Sequence, residues 1–326
     1  MGPTGTDIRV LQIHVSRRCN LQCLHCYSSS GPAERDKVPA GLFRQAITDA
    51  AAEGYNAVGI SGGEPLMYRP LRELLLHARA CGMVTTVTTN GMLLDSRRIE
   101  SLKSAACLVA ISLDGTPESH NRMRGSAQAF PQMARRLPQL RASGIPFGFI
   151  FTLTQRPVAD SSARTGRSRR TSLGHRESGR YVAQLCGIGG GAGTGDCWRS
   201  TAGATGCCGA RCNEGKPRTR LRGRRMALSE FPLSELLSPL IIEADGTVVP
   251  IEYSFGRHYA LGRLQDARLP ELAARWRRTA QSAFRHLCRS VYKEATAPEQ
   301  PAVVNWYGLV SRRAQASLNT GIRVGT

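Results

Sequence analysis

The strongest constraint in this sequence is a rhythm. Between Val10 and Thr154, short β-branched or apolar segments alternate with longer segments of helical period. VLQIHVS, NAVGIS, MVTTVTT, CLVAISLD and PFGFIFTLT have the composition and length of buried strands. GLFRQAITDAAAEG carries Leu42, Phe43, Ala46, Ile47 and Ala50 at helical spacing, with Gly54 as its stop. RPLRELLLHARACG has Pro70 near its start and Gly82 after its end, and DSRRIESLKSA has Asp95 as N-cap. AFPQMARRLPQLRASG is also helical, with a kink or break expected at Pro138. Such alternation means parallel βα units, in an open doubly wound sheet or a barrel.

The unusual residues cluster where these strands end. After the first come three cysteines in a C-x3-C-x2-C spacing: Cys19, Cys23 and Cys26. A structural zinc site closes its shell with four ligands. A disulfide framework suits a short secreted chain rather than one of 326 residues. A four-iron cluster held by three thiolates leaves one iron open to an outside ligand. Spacing alone leaves zinc and the open cluster in competition. After the second strand comes SGGEP (Ser61 to Pro65), after the third TTNG (Thr88 to Gly91), after the fourth SLDG (Ser112 to Gly115). In barrels the C-terminal strand ends form the reactive face, so all four clusters share one mouth. Gly62 and Gly63 allow close backbone approach to a ligand. Glu64 suits a cationic amine, and Asn90, Ser112 and Asp114 suit hydroxyls.

Cys19, Cys23, His25 and Cys26 match the C-x3-C-x-(aromatic)-C signature of the radical S-adenosylmethionine (SAM) enzymes, which this chain resembles over roughly Val10 to Thr154. GGEP is similar to the family's segment for the methionine amino group. Thr89 and Asn90 of TNG, and Ser112 and Asp114 of SLDG, resemble further SAM-contacting segments. SLDGTPESHNRMRG looks most like the branch containing SPASM enzymes and molybdopterin-precursor synthases. The resemblance implies a partial parallel (β/α)6-type barrel with a small C-terminal cap. It implies a [4Fe-4S] cluster on Cys19, Cys23 and Cys26, with SAM on the open iron. It also implies reductive SAM cleavage to a 5′-deoxyadenosyl radical, hydrogen abstraction from a peptide or biosynthetic small molecule, and a flavodoxin- or ferredoxin-type electron donor. His25, Gly62, Gly63, Glu64, Thr89, Asn90, Ser112 and Asp114 are the candidate SAM contacts. Arg69, Arg122 and Arg124 are candidate partners for a carboxylate. No catalytic residue is assigned.

After Thr154 the rhythm stops. Residues 156–225 are rich in Gly, Arg, Ser, Thr and Cys, with 15 Lys+Arg against 4 Asp+Glu, and include Cys186, Cys197, Cys207, Cys208 and Cys212. A GC-rich stretch read out of frame produces this composition. The alternatives are a disordered basic insert or an auxiliary cluster site. The overall charge of +20 is therefore largely local, and implies only non-specific affinity for nucleic acid. Order returns near Met226. PLIIEADGTVVPI is a hairpin pattern with ADG as its turn, and LPELAARWRRTAQSAFRHLC an amphipathic helix with Leu269, Leu272, Trp276 and Phe284 inward. Residues 226–326 complete the barrel and resemble a degenerate SPASM extension. Ile251 stands where a cysteine usually follows the DG…P element. The start MGPTGTDIRV lacks a signal-peptide core and no segment has membrane-span length, so a cytoplasmic protein is expected. A non-catalytic zinc- and nucleic-acid-binding protein is the rival reading, one under which GGEP and TNG have no purpose.

Overall fold

The computed structural model describes residues 8–35, 37–153, 181–185, 232–295 and 306–319. All five expected strands form: β1 (Val10–His14), β2 (Ala57–Ser61), β3 (Val84–Thr89), β4 (Leu108–Leu113) and β5 (Phe147–Leu153). They pair in parallel in chain order. Their connections are α1 (Ala40–Ala52), α2 (Leu71–Ala80), α3 (Ser96–Leu102), and the pair α4 (Pro117–Arg124) and α5 (Ala129–Ala142). The punctuation follows the sequence. Pro70 caps α2, Asp95 accepts the Arg98 N–H at 2.8 Å to cap α3, and Gly54 and Gly82 take positive φ just beyond α1 and α2.

Pro138 does not break α5, which runs through it. The residue is exposed, so the carbonyl it deprives of a donor can turn to water. Helix α4 carries no apolar periodicity to announce it. Its signals are local: Thr116 accepts the Ser119 N–H, Pro117 is the first helical residue, and Gly125 closes the end at φ 68°.

The sheet has nine strands in the order β6-β5-β4-β3-β2-β1-β7-β8-β9. The sixth parallel strand is β7 (Leu240–Ile242), which joins the other edge of β1. It begins the expected hairpin with β8 (Thr247–Pro250), and β9 (Gly262–Arg263) follows. The ADG turn is set by Gly246 at φ 86° and by Asp245, which accepts the Thr247 N–H. Beside β5 lies β6 (Tyr181–Leu185), and it is antiparallel. The rest of 156–225, with its five cysteines and the frame question, lies outside the described residues. So does the Met226 end of the returning order.

The segment expected to be one C-terminal helix is two. After the short α6 (Leu233–Leu236) come α7 (Leu269–Thr279) and α8 (Gln281–Ala295), separated at Ala280, which leaves helical geometry at φ −121°. The break lets both apolar faces reach the core: Leu269, Leu272, Trp276 and Phe284 are all buried. α9 (Trp306–Asn319) adds Val310 and Ala314 to that core. Among the described residues no helix is long and apolar enough to cross a membrane.

The glycines of SGGEP show how tightly the strand ends are joined. A Cβ on Gly63 would overlap the Arg18 carbonyl, and one on Gly62 the Ser16 carbonyl. Gly63→Ala is expected to lower stability by about 2 kcal/mol or more, because the obstacle is backbone on both sides. Gly41→Ala, in α1 with nothing within 4 Å, is expected to be neutral or stabilising by about 0.5–1 kcal/mol. Urea unfolding of the two variants tests the contrast.

Candidate active site

The loop after β1 closes on itself before it presents its cysteines. Cys19 N–H donates to the Gly31 carbonyl at 3.1 Å and Gly31 N–H to the Arg17 carbonyl at 3.0 Å. The loop after β2 then docks on its base, with Gly63 N–H on the Ser16 carbonyl at 2.7 Å and Glu64 N–H on the Arg18 carbonyl at 2.9 Å. The glycine pair was expected to let backbone approach a ligand. Here it lets the GGEP loop approach the cysteine loop.

Each of the three sulfurs receives an N–H. Leu21 N–H donates to Cys19 Sγ at 3.4 Å, Ser30 N–H to Cys26 Sγ at 3.2 Å, and the Arg124 guanidinium to Cys23 Sγ at 3.9 Å. Such donors stabilise thiolate, the form that binds metal. Burial works the other way. It pushes the Cys19 thiol up to about 12 and raises Cys23 as well. A thiol buried in this way ionises more readily beside a positive centre. Among the described residues no three His, Cys, Asp or Glu side chains converge on a single-ion position.

Glu64 is buried at the junction of the second and third strand ends. Its Oε1 accepts from Thr89 Oγ1 at 2.7 Å and from Leu66 N–H at 3.0 Å, and its Oε2 accepts from Asn90 N–H at 2.9 Å. Desolvation nevertheless raises its carboxyl above the usual range. Thr89 and Asn90 thus hold Glu64 in the structure. The Asn90 amide also donates to Asn20 Oδ1 at 2.8 Å, back in the cysteine loop. Asn20 was missed in the sequence, where an asparagine after Cys19 carries no signal of its own. Ser112 is half-buried on β4.

Asp114 is engaged on the same side. Its Oδ2 takes Arg124 Nε at 2.6 Å and lies 3.6 Å from His25 Nε2, while Oδ1 is buried without a partner among the described residues. Arg124 is therefore brought to the cysteines, while Arg122 is exposed on α4. Arg69 lines a separate cavity of about 360 Å³ with Arg18, Val38, Met67 and Tyr68. An apolar floor of Leu21, Met92 and Ala129 packs against Cys19 and Cys23.

The parallel sheet with its cysteine loop, GGEP glutamate and TNG turn at adjoining strand ends agrees with the comparisons. Residues 13–160 match the model of the Radical SAM superfamily. That stretch is similar to the radical SAM superfamily. The cofactors of that superfamily are a [4Fe-4S] cluster and SAM. Over 152 residues the chain is 36% identical to Fe-coproporphyrin III synthase of Methanosarcina barkeri, an overlap of 46% of this chain and 38% of that one. It is 31% identical over 153 residues to pre-heme d1 synthase of Dinoroseobacter shibae, again 46% of this chain and 38% of the relative. The chain thus spans well under half the length of these relatives. A solved structure, hexahistidine-tagged anSMEcpe with bound AdoMet, superposes with a TM-score of 0.52 at 14% identity, over 96% of this chain and 97% of that one. The likeness extends the shared fold beyond the superfamily match into the C-terminal region.

One wall of the site was not foreseen. His14, at the end of β1, lies 5.5 Å from Tyr27 and 4.7 Å from Tyr253, ring centre to ring centre. The cap thereby touches the residue after Cys26. Burial pushes the His14 imidazole down to about 3, and its Nδ1 has no partner among the described residues. The unfolded imidazole titrates near 6.5. Between those values the unfolded chain binds a proton that the fold refuses, so stability falls as pH falls through 6.5 toward 3. At pH 5 the loss from His14 alone is about 2 kcal/mol. His14→Gln is expected to flatten the decline in urea midpoint between pH 7 and pH 5 relative to the wild type.

Proposed function

We propose that this chain cleaves SAM reductively and uses the product to abstract hydrogen from a biosynthetic small molecule of the tetrapyrrole class. The observation that carries the reading is the set of three donor-supported sulfurs on one closed loop, joined by hydrogen bonds to a buried GGEP glutamate. Cys19, Cys23 and Cys26 would hold three irons. When bound, the cluster and SAM supply an electron, cleavage of the sulfonium and a hydrogen-abstracting carbon centre.

The residues of the chain bind, orient and shield. Glu64, fixed by Thr89, Leu66 and Asn90, offers a preset acceptor for the SAM ammonium, so little ordering cost remains when the ligand arrives. Ser112 and the unpartnered Oδ1 of Asp114 are the acceptors assigned to ligand hydroxyls. His25 is assigned to orientation through Asp114. Leu21, Met92 and Ala129 exclude water from the cysteine side, and Tyr27 with Tyr253 walls the cap side. The tetrapyrrole assignment rests on the two named relatives, whose overlap is confined to the N-terminal half. A small acidic flavodoxin or ferredoxin is the proposed electron donor, in keeping with the basic net charge.

Anaerobic reconstitution with iron and sulfide is expected to give one four-iron cluster, seen as a broad absorption band that bleaches on reduction. Cys19→Ala, Cys23→Ala and Cys26→Ala each lose it, and tight zinc without iron uptake would overturn the reading. Dithionite-reduced protein is expected to release 5′-deoxyadenosine from SAM. Glu64→Ala should weaken SAM binding at least tenfold in equilibrium dialysis, while Glu64→Gln, which keeps the acceptor oxygen, loses less. A coproporphyrin that accelerates SAM cleavage supports the substrate class. Acceleration by a peptide panel instead refutes it.

A further inference from the structure

Arg124 was expected to meet a carboxylate of SAM or substrate. The structure commits it elsewhere. Its Nε donates to Asp114 Oδ2 at 2.6 Å and its Nη1 points to Cys23 Sγ at 3.9 Å. The side chain is mostly buried and Asp114 more so, so this charge–thiol contact is weakly screened. Its backbone is held against the same cysteine from both sides. Leu24 N–H donates to the Met123 carbonyl at 2.9 Å, and Gly125 packs so closely on the Gln22 carbonyl that a Cβ would overlap it. The C-terminal end of α4 is thus seated on residues 22–24, the turn that carries Cys23.

We propose that Arg124 is a positioning residue that sets the reduction potential of the cluster through Cys23. This rests on the reading of the three cysteines as cluster ligands. The physical argument concerns charge. A reduced cluster carries one more negative charge than an oxidised one, and hydrogen bonds and cations at its sulfurs favour the reduced form. Cys19 receives a backbone N–H and Cys26 a backbone N–H and the Ser28 hydroxyl, whereas of the three Cys23 is the one that faces a guanidinium. Asp114 fixes that guanidinium's plane and removes part of its charge, so the pair acts as a graded donor rather than a bare cation. His25, which also faces Asp114 Oδ2, and the buried Glu64 are the other titratable groups nearby.

The experiment is an EPR-monitored redox titration of anaerobically reconstituted protein, without SAM, with iron and sulfide counted. Arg124→Gln, with its cluster loaded, is expected to shift the midpoint to lower potential. Arg124→Lys, which keeps the charge but cannot span Asp114 and Cys23 together, is expected to fall between it and the wild type. An unchanged midpoint in loaded Arg124→Gln overturns the inference and leaves the cluster reading intact. If Arg124→Gln fails to hold a cluster, the same titration of Arg124→Lys decides: a lower midpoint supports the assignment, an unchanged one refutes it. Wild-type protein that takes up no cluster overturns the cysteine reading itself.

Discussion

Everything at the mouth of this sheet depends on two backbones lying in contact. The loop that follows β2 rests on the loop that follows β1 through the Gly63–Ser16 and Glu64–Arg18 hydrogen bonds, and only glycine fits where they meet. A side chain there would separate the cysteine turn from the glutamate by roughly the width of a methyl group. Catalytic geometry tolerates far less displacement than that. The parallel sheet supplies the reason both loops arrive at the same place. Neighbouring strands in register end at the same height, so His14 and Ser61 deliver their loops side by side.

Glu64 extends this coupling sideways. It ties the second loop to the third, Asn90 ties the third back to Asn20 in the first, and Asp114 with Arg124 ties the fourth to Cys23. The result is a ring of polar contacts around an apolar floor. Rings of this kind are worth more together than apart, because each buried charge or acceptor would be expensive if its partner were lost. The low-dielectric surroundings that raise the Glu64 carboxyl also strengthen its hydrogen bonds to Thr89, Leu66 and Asn90.

Much of the fold was legible because its signals are local. Strand runs, Asp95, Pro70 and the helix-ending glycines act within a few residues, and the structure follows them. Pro138 does not break its helix, an outcome that depends on exposure, which sequence does not display. Ala280 was overlooked because alanine ordinarily favours helix, and the break there serves packing on both sides. At the strand ends the cysteines and Glu64 stand out in the sequence by type and spacing, and the structure brings their loops into contact. What Glu64, Asp114 and Arg124 hold was not legible, since the partners that tie them to other elements lie from 10 to 101 residues away. The aromatic contact of His14 with Tyr253, and β7 beside β1, join segments more than 200 residues apart, where no periodicity connects them.

The position of β1 carries a consequence for how the protein is made. It leaves the ribosome long before Leu240–Ile242, the strand that covers one of its two edges. Throughout synthesis of the intervening residues that edge presents unpaired amides beside the nascent cysteine turn. A late partner for an early strand is slow to find, and an uncovered edge recruits other chains in the meantime. The cell therefore has an interval in which the cysteine loop is present but its flank is unfinished, when folding and misassembly compete for the same polypeptide.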